Sequence, residues 1–219
     1  MVLSKQLKQL RSRLIAGIYD IALAPTERRC LGEWRRELLA QSEGTLLEIG
    51  AGTGINLRYY PQQATRILLC EPDPQMRQQL QIKTAHAAQT RVEITGWQAE
   101  AIDLPDDSID TIVTTLVLCS VASLETSLRE IHRLLKPDGK LLFLEHVISN
   151  DPRTRRWQQR IEPFWSLCAA DCHLTRDTER AIRTAGFNIE QLIEAPISGA
   201  PAFLRRTIRG LARKPTGAK

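Results

Sequence analysis

The chain has 219 residues, 42% of them hydrophobic and 25% charged, which suits one or two folded domains with a sizeable core and excludes a disordered or collagen-like chain. Five cysteines, at 30, 70, 119, 168 and 172, are odd in number and scattered, so reduced thiols are expected rather than a disulfide scaffold. The net charge of +5 is exceeded by the six basic residues of 205–219, which have no acid among them, so the body is near neutral and no nucleic-acid partner is expected.

Leu3, Leu7, Leu10, Leu14, Ile18 and Ile21 recur at spacings of three and four, which predicts an amphipathic helix over 2–24. Such a stripe packs on its own domain or, given the basic residues between, lies on a membrane surface. Lys5, Lys8, Arg11 and Arg13 are mixed with the apolar residues rather than preceding them, unlike a cleavable leader, so a cytoplasmic protein is expected. Ala24-Pro25 interrupts the pattern, and Thr26 is placed to cap a second helix through Leu39. Residues 1–44 are therefore read as N-terminal helices attached to a domain at 45–213.

From Thr45 the periodicity changes. Leu46–Ile49 is a short apolar run ending in Gly50, Gly52 and Gly54, and the helix-like stretch after it stops at Pro61. Ile67–Cys70 ends in Glu71-Pro72, a helix follows from Pro74 to Ala88, and Val92–Ile94 leads into Gly96. Asp110–Thr115 is strand-like, and the run free of charges from Thr111 to Leu124 is the longest in the chain, short of the ~20 residues that cross a bilayer. A helix over 124–135, a turn at Pro137-Asp138-Gly139 and a strand at Leu141–Leu144 complete the alternation. This pattern predicts an α/β fold with a doubly wound, mostly parallel sheet, whose ligands sit outside the carboxyl ends of its strands. Residues 148–176 break the alternation and read as an active-site cover. A helix over Thr178–Ala185 ends at Gly186, Phe187–Ile193 and Leu204–Ala212 predict a closing hairpin, and 214–219 is a basic tail.

The chemistry is concentrated at Glu48-Ile49-Gly50-Ala51-Gly52-Thr53-Gly54, with an acid, Glu71, ending the next strand. Glycines let the backbone turn sharply and let a ligand approach, and a carboxylate at the second strand tip suits a ribose diol. The spacing is G-x-G-x-G, with Ile55 where a dinucleotide fingerprint has its third glycine. Glu48 is also unfavourable beside a pyrophosphate and suitable beside an ammonium or sulfonium. S-adenosylmethionine is thus favoured over a nicotinamide dinucleotide, and a nicotinamide-dependent reductase is the alternative outside this class.

The chain resembles the class I S-adenosylmethionine-dependent methyltransferases of the type 11 group through that glycine segment, Gln98-Ala99-Glu100 with Leu104–Asp110, and Leu134–Lys140. Glu27-Arg28-Arg29, Asn56-Leu57, Thr115–Val121, Glu145-His146, and Cys172 with Leu174-Thr175-Arg176 are similar to the animal methyltransferase-like thiol S-methyltransferases and their bacterial relatives. The resemblance implies a Rossmann-like seven-stranded sheet. It also implies a site in which Gly50, Ala51, Gly52 and Gly54 underlie the methionine part, with Glu48 and Asn56 near its amino group. Glu71 would take the ribose, Pro72 and Gln98-Ala99-Glu100 the adenine, and Thr115 and Leu116 would border the methyl group.

The expected acceptor is a small, apolar molecule. A thiol is favoured because, with a pKa of about 8.5, it is partly ionised near neutrality; a lipid-like amine or a quinone is the alternative. Candidate bases are His146, at the tip of the fifth strand, and Asp171 in the cover; His146 is alternatively a histidine holding the cover by a hydrogen bond. Trp157, Phe164 and Trp165 are candidates either for an acceptor wall or for plain packing. Cys168 and Cys172 fall on one helical face beside His173, but no second ligand pair follows, so no metal is expected.

Overall fold

Short apolar runs bounded by glycine and proline become the strands of a computed structural model describing residues 2–86 and 91–215, with side chains described from Arg11 onward. The strands are β1 (Gly44–Ile49), β2 (Ala64–Cys70), β3 (Val92–Thr95), β4 (Ile109–Thr115), β5 (Leu135–His146), β6 (Asn188–Pro196) and β7 (Arg206–Arg213). They form one sheet in the order β3-β2-β1-β4-β5-β7-β6. The first five run parallel, while β7 is antiparallel to both β5 and β6, giving the expected final hairpin.

Alternation along each strand divides the core between the two faces of the sheet. Leu47, Leu68, Ile112, Leu141 and Phe143 pack on one side with α4 (Leu124–Leu134) and α6 (Thr178–Thr184), through Leu128, Ile131 and Ile182. Leu46, Ile67, Leu69, Val113 and Leu142 pack on the other with α2 (Gly32–Leu39) and α3 (Pro74–His86), through Leu38, Leu39 and Leu80. The end predicted for α3 at Ala88 lies outside the described residues. The sequence order of β1 and β4 leaves a switch point between them, where the chain on one side runs to β2 and on the other to β5.

Three expectations need correction. Pro25 does not break the first helix: α1 runs Val2–Thr26 and passes through a π-helical turn, Glu27–Leu31, straight into α2. The proline sits in the last turn of α1, where one lost backbone donor is tolerated, and the wider turn absorbs the distortion. Thr26 stays helical and donates its hydroxyl to Leu23 O at 2.8 Å instead of capping. The turn at Pro137-Asp138-Gly139 lies inside β5, as a bulge between the pairings Ile109↔Leu135 and Thr111↔Lys140.

The third correction concerns the apolar stripe of α1. Leu14, Ile18 and Ile21 are 61%, 59% and 74% exposed, so among the described side chains the stripe does not pack on the domain. The opposite face is the docked one. Ser12 donates to both oxygens of Asp73, Asp20 accepts from Thr53 and Lys83, and Gln79 donates to Ala16 O. No helix among the described residues is long and apolar enough to cross a membrane.

The cover contains α5 (Pro152–Cys168), started by Asp151, whose carboxylate accepts from Thr154 N at 2.7 Å, with proline in the first turn. Gln158 ties it down by accepting from Ser149 N and donating to Phe203 O. Trp165 packs edge-on against Phe203 at 5.3 Å, while Trp157 and Phe164 face solvent, so these aromatics pack the cover or its surface.

Candidate active site

A cavity of ≈ 470 Å³ opens at the carboxyl ends of β1, β2 and β4, within the ordinary range for a small-molecule site. A second hollow of ≈ 410 Å³ lies at the other ends of the strands, between Gln41 and Arg213, and brings together none of the expected site residues.

The glycine loop forms the cavity floor. Gly50 has φ +67, and a Cβ there would meet Val117 Cγ2 at 2.1 Å. Gly52, with φ +57, has nothing within 4 Å of the same added atom, so its backbone faces open space on the cavity wall. Gly54 instead backs onto Leu57 and Leu80, and Ala51 is buried in the core, so neither lines the cavity.

Glu71 lies at the tip of β2, with Oε2 accepting from Gly52 N and Oε1 from Asp73 N, both at 2.8 Å. Burial raises its pKa against the pull of those two donors. Each oxygen retains a lone pair for a hydroxyl, which fits a ribose diol. Pro72, Gln98, Ala99 and Glu100 continue the wall; Glu100 also accepts from Ser123 N, which leads into α4. Thr115 and Leu116 close the floor, and Leu116 holds φ +58, an unusual conformation for a bulky residue, with its amide donating to Leu144 O at 2.7 Å. Glu145 braces the next two residues, accepting from Val117 N and Leu118 N, and burial pushes its pKa to about 8.

Glu48 and Asn56 stand behind the floor rather than on it. Asn56 donates to Glu48 Oε1 at 2.7 Å and to Thr115 Oγ1 at 3.0 Å. Its own oxygen accepts from Arg35, which also donates to Thr115 Oγ1 at 2.7 Å and pairs with Glu27 at 3.0 Å. Burial raises Glu48 to about 7, opposed by the Asn56 hydrogen bond and the Arg35 charge. Arg35, 1% exposed, was not distinguishable in the sequence from its charged neighbours Glu33, Arg36 and Glu37.

Sequence reading also missed α1 as part of the site. Arg11, Ser12, Ile15 and Tyr19 line the cavity from above. Burial raises the Tyr19 phenol to about 12, with Arg35 pulling the other way, so the ring presents a neutral hydroxyl.

The two candidate bases part company. Asp171 lies on the cavity wall, paired with Arg11 at 3.0 Å. His146 does not line it. Its Nε2 is 2.7 Å from Cys172 Sγ, so it makes the contact to the cover that its alternative reading describes. Cys119 completes a buried group with them: a hydrogen bond from Cys172, and the nearby His146, bring its thiol well below the ordinary range. Burial, the largest single influence, would lower His146, but the charge and hydrogen bond of Cys119 together with the charge of Glu145 raise it on balance. Cys168 is exposed, and His173 pairs with Glu162 instead.

The model of the family described as methyltransferase domain matches residues 24–192. The chain belongs to this methyltransferase family. Thiol S-methyltransferase TMT1B of Rattus norvegicus is 37% identical to this methyltransferase over 171 residues, spanning 72% of the chain and 69% of that protein. Thiol S-methyltransferase TMT1A of Homo sapiens is 33% identical over 186 residues, spanning 83% and 76%. Among solved structures, the YcgJ protein of Bacillus subtilis superposes with a TM-score of 0.67 at 18% identity, covering 87% of this chain and all of that one at 100%. The [4+2]-cyclase SpnF superposes with a TM-score of 0.68 at 20% identity, covering 85% and 80%. A cyclase on the same scaffold shows that fold alone does not fix the reaction; the family match carries that assignment.

Proposed function

We propose that this methyltransferase moves the methyl group of S-adenosylmethionine to the sulfur of a small, apolar thiol. The observation that carries the donor is the Glu71 carboxylate at the second strand tip, hydrogen-bonded to Gly52 N and set on the same cavity wall as the side-chain-free backbone of Gly50 and Gly52. The names of the rat and human relatives support the thiol.

Bound there, the donor would supply an electrophilic methyl on a sulfonium, to be taken by the thiolate sulfur as the old C–S bond breaks and its electron pair stays on the S-adenosylhomocysteine sulfur. The protein's task is largely placement, holding sulfur and methyl at ~3–3.5 Å on one axis. Glu71 orients the ribose, Thr115 and Leu116 fix the floor beneath the methyl, and Arg11, Ile15 and Tyr19 roof it. Asp171 at the mouth passes the thiol proton to water. A thiol near its own pKa asks little more of a base, which suits a cavity from which His146 is withdrawn.

The deciding experiment combines calorimetric titration with radiolabelled methyl transfer to a panel of alkyl thiols, amines and quinols. Saturable S-adenosylhomocysteine binding and label on thiols are expected. Binding of NADPH in its place would overturn the donor, and label on amines or quinols alone would overturn the acceptor.

The outward stripe of Leu14, Ile18 and Ile21 favours a membrane surface as the place of work, since the helix carrying it roofs the cavity. Cosedimentation with anionic phosphatidylserine vesicles, lost in Ile18→Ser/Ile21→Ser, is the expected result; equal sedimentation of both proteins would remove this placement.

A further inference from the structure

Cys119 follows β4, His146 ends β5 and Cys172 follows α5, so three segments far apart in sequence deliver two sulfurs and an imidazole to one point. The three donor atoms lie within 4.8 Å of one another, and each residue is at most 7% exposed. Tetrahedral coordination by Zn–S bonds of ~2.3 Å and Zn–N bonds of ~2.0–2.1 Å requires donors about 3.6–3.8 Å apart, so the group is already gathered to nearly that size. The Nε2–Sγ separation of 2.7 Å must open, and no hydrogen bond at the buried Nδ1 holds the ring in its present orientation. The surroundings suit a metal thiolate. Trp165 Nε1 donates to Cys172 Sγ at 3.3 Å, as groups around ligating sulfurs commonly do. Two thiolates also neutralise a divalent ion, which removes the cost of burying charge.

We propose that Cys119, His146 and Cys172 form a three-ligand site for a thiophilic cation, Zn(II) being the type. The ion staples the segment after β4 to the loop after α5, and both contribute cavity wall: Val117, Ser120 and Val121 from the first, Ala170 and Asp171 from the second. The site stands on different residues from the donor cavity and is independent of which acceptor is methylated. A fourth position remains for water or another donor, as in other three-ligand zinc sites.

The test uses the full chain, reduced and stripped with a chelator, then titrated with Co(II) alone. One equivalent is expected to bind with a thiolate-to-cobalt charge-transfer band in the near ultraviolet, and Zn(II) is expected to displace it. Cys168→Ser keeps the band; Cys119→Ser and Cys172→Ser lose most of its intensity and at least ~10-fold in affinity. Where those variants fail to fold, the oxidation rate of the wild-type thiols decides: bound zinc should slow Cys119–Cys172 disulfide formation, read by peptide mapping, by more than tenfold. Absence of a charge-transfer band in the reduced wild type, an unchanged band in both variants, or a disulfide that forms equally fast with zinc present each overturns the proposal.

Discussion

Arg35 Nη1 donates to Asn56 Oδ1 at 3.0 Å, and both side chains are buried behind the glycine loop. The contact places a cation one side chain away from Glu48 and fixes which way the Asn56 amide faces, so that its nitrogen donates to that carboxylate. Arg35→Met should leave Glu27 buried without its partner and cost ~3–5 kcal/mol of stability. Glu27→Gln/Arg35→Met should recover part of the loss, as read by urea denaturation of the single and double variants. A single variant within ~1 kcal/mol of wild type would show that the pair does not hold this region.

Glu48, behind the floor of the proposed donor site, should give it a pH dependence. Its pKa is about 7 in the folded protein and 4.5 when unperturbed, so the fold favours the protonated acid. The resulting contribution to stability is full below the unperturbed pKa and is lost as pH rises through about 7. A cationic donor favours the opposite state, so S-adenosylmethionine affinity should increase by about tenfold from pH 6 to pH 8. Glu48→Gln should flatten that profile in calorimetry; an unchanged slope would assign it to another group.

The two cavity glycines should fail differently. Gly50→Ala drives a methyl into Val117 and should lower thermal stability sharply. Gly52→Ala meets no atom and should cost only the ~1–2 kcal/mol of a left-handed alanine, while its methyl obstructs the donor. A Gly52→Ala protein that binds S-adenosylhomocysteine as tightly as wild type would move the donor off this loop.

Asp171→Asn removes the proposed proton acceptor at the mouth, and with it the Arg11 ion pair, while the residues proposed to hold the donor's ribose and adenine stay in place. Turnover with a thiol should fall about tenfold near pH 6.5 and recover toward pH 9, where the thiol ionises unaided, while the KM for the donor stays unchanged. An equal loss at every pH would make Asp171 a packing residue.

The parallel part of the sheet was legible because β1, β2, β3 and β5 carry local apolar runs bounded by glycine or proline, and the parallel order follows from the helices between them. Positions set locally were legible too: Glu71 ends its strand at the cavity, as the run Ile67–Cys70 indicates. What escaped depends on distant segments meeting. Arg35 is one charge in a charged helix until α2 is laid over the loop. His146 was singled out by its strand tip, but its meeting with Cys119 and Cys172 shows only when β4 and β5 become neighbours and the cover folds back. The stripe of α1 misled for a related reason: periodicity locates an apolar face but does not say that the polar face is the docked one.

That docking has a kinetic corollary. The tethers of α1 named above are ionic or polar, and several are half exposed, including Arg11–Asp171 and Lys83–Asp20. Contacts of this kind weaken as electrolyte screens them, whereas the apolar sheet beneath does not. The roof is therefore the part of the molecule whose grip can be tuned without disturbing its foundations, and added salt should hasten the escape of spent cofactor.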